Sequence, residues 1–192
     1  MMAGAPARHV CLAGVAGSGK TTIGRALAPL LSAEFLDADA YHPPANVAKM
    51  ARGEGLSDAD RWPWLDAVGA KLRERDQVGV GVVLACSALK PDYRARLRAA
   101  LASQPSPDSH SALAFVLLTA PPEIILTRLA ARPGHFAGPS LLPSQLAALE
   151  LGDDIDVVLQ VDRDPPHQLA HEVVRRLGER AIGRDSQSYS PL

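Results

Sequence analysis

The chain is poor in lysine, in aromatic residues, in cysteine and in net charge. Only four lysines, Lys20, Lys49, Lys71 and Lys90, stand against sixteen arginines in 192 residues, and the formal net charge is −1. Such a chain lacks the local excess of positive charge that a nucleic-acid-coating surface needs, so no nucleic-acid partner is predicted. With eight aromatic residues and 32 alanines, the core has to be built mostly from small aliphatic side chains. The two cysteines, Cys11 and Cys86, each sit inside an apolar run. That pattern predicts buried thiols in a reducing compartment rather than a disulfide. The longest apolar run, Val78 to Ala85, contains two glycines and is far too short to span a bilayer. Met1 to Arg8 has no long apolar stretch of the kind a signal peptide carries. These scarcities together predict a cytoplasmic protein without a membrane partner.

What is present is ordinary globular composition, 47% hydrophobic and 21% charged, at a length near that of one domain. Short apolar runs alternate with helical patterns. His9–Ala13, Glu34–Leu36, Val80–Cys86, Leu113–Leu118 and Asp156–Val161 read as strands. Thr21–Leu31, Ala45–Arg52, a helix opened by Ser57 as N-cap, Asp92–Leu101, Pro122–Arg132 and Pro165–Arg180 read as helices. Strands that are continuously apolar and flanked by helices predict a parallel sheet covered on both faces. The predicted boundaries are a flexible N-terminus over 1–8, one domain over 9–182 and a flexible tail over 183–192. Ser103–Ser111 reads as a Ser/Pro loop, and Pro133–Pro143, with two glycines and three prolines, as a mobile flap.

Gly14-Val15-Ala16-Gly17-Ser18-Gly19-Lys20-Thr21 fits G-x-x-x-x-G-K-[ST], with an apolar strand before it and an amphipathic helix after it. Glycines let successive backbone N–H groups turn inward onto phosphate oxygens, and the helix N-terminus adds its positive dipole end. The predicted nucleotide site is therefore Gly14, Ala16, Gly17, Ser18, Gly19, Lys20, Thr21 and Thr22. Lys20 neutralises the β- and γ-phosphates, and the Thr21 hydroxyl reaches Mg²⁺. ATP and Mg²⁺ follow as cofactors.

A GTPase switch would carry an N-K-x-D stretch, and none exists; Asp66-Ala67-Val68-Gly69 falls inside a helical pattern. A motor ATPase would end the strand beside the phosphate loop in acidic residues, but Val80–Ala85 runs into Cys86-Ser87-Ala88-Leu89-Lys90. The carboxylates lie instead in Asp37-Ala38-Asp39, two apart, where an extended strand end would point both the same way. One can serve Mg²⁺ through water and the other can accept a proton from a substrate hydroxyl. A turn rich in Asp before Pro43-Pro44 is the plain alternative. The short chain leaves no room for a second, protein-binding domain, so a small-molecule kinase is predicted.

Beyond the phosphate loop, the sequence resembles the gluconokinases. The matching pieces are Phe35-Leu36-Asp37-Ala38-Asp39, Tyr41-His42-Pro43, Asn46, Lys49-Met50, Gly53 and Leu56. They continue with Asp58-Ala59-Asp60-Arg61-Trp62-Pro63-Trp64-Leu65, Leu84-Ala85-Cys86-Ser87-Ala88-Leu89-Lys90 and Tyr93-Arg94. Arg128-Leu129, Arg132, Gly134-His135-Phe136, Leu141-Leu142 and Ser144-Gln145 complete the resemblance, which spans about residues 9–175. It implies a P-loop kinase fold with a five-stranded parallel sheet and a mobile lid, here about 133–150. It implies transfer of phosphate from ATP to the 6-hydroxyl of D-gluconate, with Mg²⁺, in a homodimer. A kinase for another, shikimate-like hydroxy acid and a non-catalytic nucleotide-binding regulatory protein are the alternatives. The sequence departs from the family after Leu149-Glu150, where Leu151-Gly152-Asp153 stands in place of a segment with proline.

The resemblance also suggests roles. Asp39 is placed as base and Asp37 toward Mg²⁺, with the reverse assignment open. Arg61 is the first candidate for the gluconate carboxylate, since a guanidinium clamps it through two parallel hydrogen bonds, and Arg94 is the alternative clamp. A surface pairing of Arg61 with Asp58 or Asp60 is the structural alternative. His42, Lys90 and His135 are candidates for gluconate hydroxyls, although His42 also suits a cap on the Pro43-Pro44 turn. Arg128 and Arg132, one helical turn apart, are placed on the nucleotide, with Arg132 also catalytic. Val161-Asp162 with Pro165 resembles an adenine-wrapping loop, and Trp62 and Trp64 read as packing residues.

Overall fold

A computed structural model describes residues 8–101, 113–131 and 138–187, with side chains described as far as Arg180. The strands are β1 His9–Ala13, β2 Glu34–Asp37, β3 Val82–Ala85, β4 Leu113–Thr119 and β5 Val157–Gln160. They form one parallel sheet in the order β2-β3-β1-β4-β5. The helices are α1 Lys20–Leu30, α2 Pro44–Ala51, α3 Asp58–Gln77, α4 Pro91–Leu101, α5 Pro122–Ala130, α6 Leu142–Ala148 and α7 Pro166–Gln187.

Alternation along the strands divides the core into two layers. Cys11 and Ala13 of β1 and Leu84 of β3 face Trp64, Leu65, Val68 and Leu72 of α3 and Leu97 of α4. Val10 and Leu12 face Ile23 and Leu27 of α1 and Val173 of α7 on the other side. The doubly covered parallel sheet predicted from unbroken apolar runs is the sheet observed. Cys11 and Cys86 are both buried, free thiols in the first of these layers. No helix among the described residues is long and apolar enough to cross a membrane.

Local signals set most boundaries. The Ser57 side chain accepts from the Asp60 backbone N–H, and the Asp60 carboxylate accepts from the Ser57 N–H, a reciprocal cap that starts α3. Asp66-Ala67-Val68-Gly69 lies within α3, as its pattern predicts.

Regular structure extends into two of the segments expected to be mobile. In the expected flap over Pro133–Pro143, Pro139–Leu141 forms a 3₁₀ turn that is followed by α6. Pro139 and Pro143 occupy first-turn positions, where no N–H is missed, and Leu141 and Leu142 are buried. The predicted tail from Gly183 is likewise helical as far as Gln187. The Ser103–Ser111 loop, Arg132, Gly134, His135, most of the N-terminal segment 1–8 and residues 188–192 lie outside the described residues.

Arg94 stands apart from its predicted role. Its side chain is fully buried, and it donates to the carbonyls of Ala88 (3.0 Å), Leu89 (3.2 Å) and Glu150 (3.1 Å) and to Asp154 (Nη2–Oδ1, 2.9 Å). With its donors committed to the protein, it is not a clamp for a substrate carboxylate. It ties the segment after α6 to the loop after β3, and the Glu150 N–H adds a bond to the Leu89 carbonyl (2.9 Å). The stretch that departs from the family pattern, Leu151-Gly152-Asp153, is thus anchored at both ends.

Replacing Arg94 by Leu leaves these carbonyls and Asp154 without their partner and should cost about 3 kcal/mol, read by urea unfolding near pH 7. The Arg94 hydrogen bond holds the Asp154 carboxyl below its usual pKa. A carboxyl depressed in the folded state contributes stability above its unfolded pKa and loses it as the pH falls through the folded value. The wild-type advantage should therefore shrink below about pH 4. An advantage of equal size at neutral and strongly acid pH would remove the Arg94–Asp154 pair from this account.

Candidate active site

The site forms where β1, β3 and β2 end side by side at the carboxyl edge of the sheet, the crevice that open α/β sheets use for ligands. The loop after β1 turns through Gly17 (φ 80°) and Gly19 (φ 93°), left-handed conformations that suit glycine, and Gly19 caps α1. A Cβ at Gly17 would meet Leu129 Cγ at 2.9 Å, so the loop also needs the missing side chain to pack against α5. The Gly14 N–H donates to the Ser87 carbonyl (3.0 Å), which fixes the loop to the chain leaving β3.

Lys20 Nζ donates to the carbonyls of Gly14 and Val15, both at 2.9 Å. Loss of water lowers its pKa, an effect opposed first by the nearby Asp39 and then by other groups including Asp37. The ammonium is held over the loop, where anionic phosphate oxygens would restore its preference for charge. The Thr21 hydroxyl donates to Asp37 Oδ2 (3.0 Å). A hydroxyl and a carboxylate oxygen side by side, next to a phosphate loop, are hard ligands that fit Mg²⁺. The Ser18 hydroxyl oxygen is buried in the same loop with no partner among the described residues.

The acidic pair is not built as a strand end. Asp37 closes β2, and its Oδ1 accepts the Asp39 N–H (3.2 Å), capping a 3₁₀ turn over Ala38–Tyr41. Asp39 sits on that turn, and both carboxylates line one cleft with Lys20, Thr21, His42 and Arg61. The turn is pinned from below. Trp64 Nε1, buried at the base of the cleft, donates to the Ala38 carbonyl (2.7 Å). Trp64, expected to be a packing residue, thus both packs and positions the turn that carries Asp39.

His42 stacks on Trp64 with ring centroids 4.2 Å apart and planes at 14°. Burial, helped by the charge of Arg61, lowers its pKa to about 4, so it is neutral near pH 7. Its Nε2 lies 3.9 Å from Asp39 Oδ1, and Asn46 Nδ2 approaches its Nδ1 at 3.5 Å.

The structure gathers Lys20, Thr21, Asp37, Asp39, His42 and Arg61 in one cleft and leaves Lys90 and Arg94 out of its wall. Lys90 Nζ lies 3.1 Å from both carboxylate oxygens of Asp58. It directly precedes α4, beside the start of α3, and pairs there with the neighbouring opposite charge rather than lining the cleft. Arg128 faces a second hollow across the phosphate loop, shared with Gly17, Ser18, Gly19, Thr22 and Val161, and Nη2 donates to the Val161 carbonyl (2.6 Å). The loop therefore divides an acidic cleft from a hollow lined by Arg128, Thr22, Asp164 and apolar side chains such as Ile23 and Leu169.

The polar cleft residues Ser87, Ser144 and Gln145 were given no role in the sequence. Gln145 Oε1 accepts the Ala16 N–H at 2.7 Å, joining α6 to the phosphate loop across 129 positions, and Ser87 lines the wall. Their signal was present only as the Ser144-Gln145 and Cys-Ser-Ala-Leu-Lys blocks of the resemblance.

Residues 10–150 match a family model described as an AAA domain. The chain is 43% identical over 169 residues to a gluconokinase of Gluconobacter oxydans (strain 621H), covering 88% of this chain and 90% of that one. A gluconokinase structure from Sinorhizobium meliloti 1021 is similar at 38% identity and a TM-score of 0.76, covering 96% of this chain and 98% of its own. An unliganded sugar kinase structure from Janibacter sp. HTCC2649 is similar at 44% identity and a TM-score of 0.76, covering 90% and 95%.

If Asp39 acts on the hydroxyl that receives phosphate, Asp39→Asn should lower kcat by at least about 100-fold. Nucleotide affinity, measured by calorimetry, should stay within about threefold. An unchanged kcat would sink the assignment, and a matching loss of nucleotide affinity would move Asp39 to the other side of the loop.

Proposed function

The chain belongs to the gluconokinase family, among phosphate-loop proteins of the AAA-domain type, and from that premise we propose that it phosphorylates D-gluconate on its 6-hydroxyl with ATP. The observation that carries the reading is the cleft itself. A phosphate-loop lysine, a paired hydroxyl and carboxylate, a second carboxylate and an arginine converge there. Gluconate has a primary hydroxyl at one end and a carboxylate at the other, and the cleft offers a carboxylate for the first and a guanidinium for the second.

Gly17, Gly19, Lys20, Thr21 and Thr22 hold the triphosphate in this reading, with Arg128 and the Val161 segment on the base side. Thr21 and Asp37 are the residues that would hold Mg²⁺, directly or through water. Bound there, the ion would neutralise phosphate charge as the phosphoryl group is transferred. Asp39 takes a hydrogen bond from the 6-hydroxyl and orients its oxygen toward the γ-phosphorus. As the new O–P bond forms and the bond to the β–γ bridging oxygen breaks, Lys20 stabilises the charge that accumulates, and the hydroxyl proton passes to Asp39. Positioning and charge stabilisation supply most of the acceleration, so a weakly basic carboxylate is sufficient. Neutral His42 offers a gluconate hydroxyl a partner without adding charge, and Arg61 takes the carboxylate.

His135 keeps its place on gluconate in this proposal and Arg132 its place on the nucleotide phosphates, both acting when a lid at about 133–150 closes to exclude water. A cytoplasmic location is supported by two buried free thiols, and a homodimer by the family resemblance. The non-catalytic alternative loses its support, because the departing segment is docked by Arg94 and Glu150 rather than intruding on the cleft.

A coupled ADP-release assay across gluconate, other sugar acids, shikimate and nucleoside monophosphates tests the reading. Gluconate should be preferred by orders of magnitude. Arg61→Ala should raise the gluconate KM by about tenfold or more and leave the ATP KM unchanged. Preference for shikimate or a nucleotide, or an Arg61→Ala effect confined to ATP, would contradict it.

A further inference from the structure

Arg61 is held by a residue outside the cleft wall. It lies in the first turns of α3, with its side chain 15% exposed, and Nη1 donates to the hydroxyl of Tyr93 at 3.1 Å. The guanidinium carbon sits 5.4 Å from the centre of the Tyr93 ring. Tyr93, on α4, is 1% exposed. A phenol hydroxyl has one proton to give and lone pairs to accept with. Here the proton goes to the Asp58 carboxylate, and the lone pairs take Arg61.

Asp58 is the natural rival for Arg61. The two are three apart on one helix, the spacing at which opposite charges meet, and Arg61 Nη1 lies 3.5 Å from Asp58 Oδ1. A closer, two-pronged pairing would offset the charge of Arg61 and turn its fork away from the cleft. Two groups compete with Arg61 for Asp58. Lys90 Nζ occupies both oxygens of Asp58 at 3.1 Å, and the Tyr93 hydroxyl stands between Asp58 and Arg61. These contacts also hold the Asp58 carboxyl below its usual pKa, with the Tyr93 hydrogen bond as the largest cause and Lys90 next. Among the described residues, Tyr93 is the hydrogen-bond partner of the Arg61 guanidinium, through Nη1, so the Nε–Nη2 edge is left to grip a carboxylate side-on.

We propose that Tyr93, backed by Asp58 and Lys90, is a positioning residue that keeps Arg61 aimed into the cleft, and so sets selectivity for an anionic hydroxy acid over a neutral polyol. This rests on the gluconate reading and adds the origin of its charge selectivity. It also gives Lys90 a part in recognition without contact with substrate.

Tyr93→Phe keeps the ring and removes the relay. In steady-state kinetics it should raise the gluconate KM about tenfold, with kcat and the ATP KM within about twofold of wild type. Turnover of glucitol, the same carbon chain with the carboxylate reduced to an alcohol, should not change, so the preference for the acid falls about tenfold. Asp58→Asn, at an exposed position that tolerates change, should raise the gluconate KM about threefold. The ¹⁵N–¹H signal of Arg61 Nε, assigned with Arg61→Lys, reads the anchoring without substrate, and faster hydrogen exchange there is expected in Tyr93→Phe. An unchanged gluconate KM, an unchanged Arg61 signal, or equal losses on gluconate, glucitol and ATP would each overturn the proposal. Failure of the wild type to turn over gluconate, with the Arg61 signal still responding to Tyr93→Phe, would instead overturn the gluconate reading and its selectivity corollary while upholding the anchor.

Discussion

Everything functional in this molecule depends on five parallel strands ending at one edge. A parallel sheet has all its carboxyl ends on the same side, and the order β2-β3-β1 sets the end of β2 two strands from the end of β1. The phosphate loop leaves β1 and the acidic turn leaves β2, so a donor phosphate and an acceptor hydroxyl can meet without either segment being long. The strand between them supplies the chain that joins the two, through the Gly14–Ser87 hydrogen bond. Burial on both faces gives this edge its rigidity, since a shift of register would move apolar side chains out of both layers at once.

Onto that edge the fold adds a few polar anchors that cross long stretches of sequence. Trp64 holds the turn of Asp39, Gln145 meets the amide of Ala16, and Arg94 binds the strand-exit loop to the segment after α6. These are costly groups to bury unless satisfied, and satisfied they admit one arrangement. The scarcity of lysine takes on meaning in this setting. Lys20 lies over the phosphate loop, while Lys49 and Lys90 hold Asp60 and Asp58, the two acids at the start of α3. Lys71 pairs with Glu74 on the surface. Three of the four lysines thus bear on the site, two of them indirectly, and arginine does the internal bridging that its planar fork suits.

The parts legible in the sequence were those written locally. The phosphate loop declares itself in eight consecutive residues, the start of α3 in four, and the strands in runs of aliphatic side chains. Asp37 and Asp39 were recognisable as a pair, but the reason they share a cleft was not. They converge through a capped 3₁₀ turn rather than through the alternation of a strand. Prolines at 139 and 143 stand in first turns, a placement the sequence left open because proline ends a helix and also begins one, and the burial of Leu141 and Leu142 shows which applies. The fates of Arg94 and Lys90 were decided by partners 60 and 32 positions away, which no spacing rule reports.

The most direct measurement of the central claim is a crystal structure with gluconate, Mg²⁺ and a non-hydrolysable ATP analogue. The account predicts the γ-phosphate on the loop beside Lys20, with the gluconate 6-hydroxyl about 3 Å from Asp39 and in line with the γ-phosphorus. It places the gluconate carboxylate on Arg61. Gluconate bound in the reverse direction, or on the Arg128 side of the phosphate loop, would contradict it.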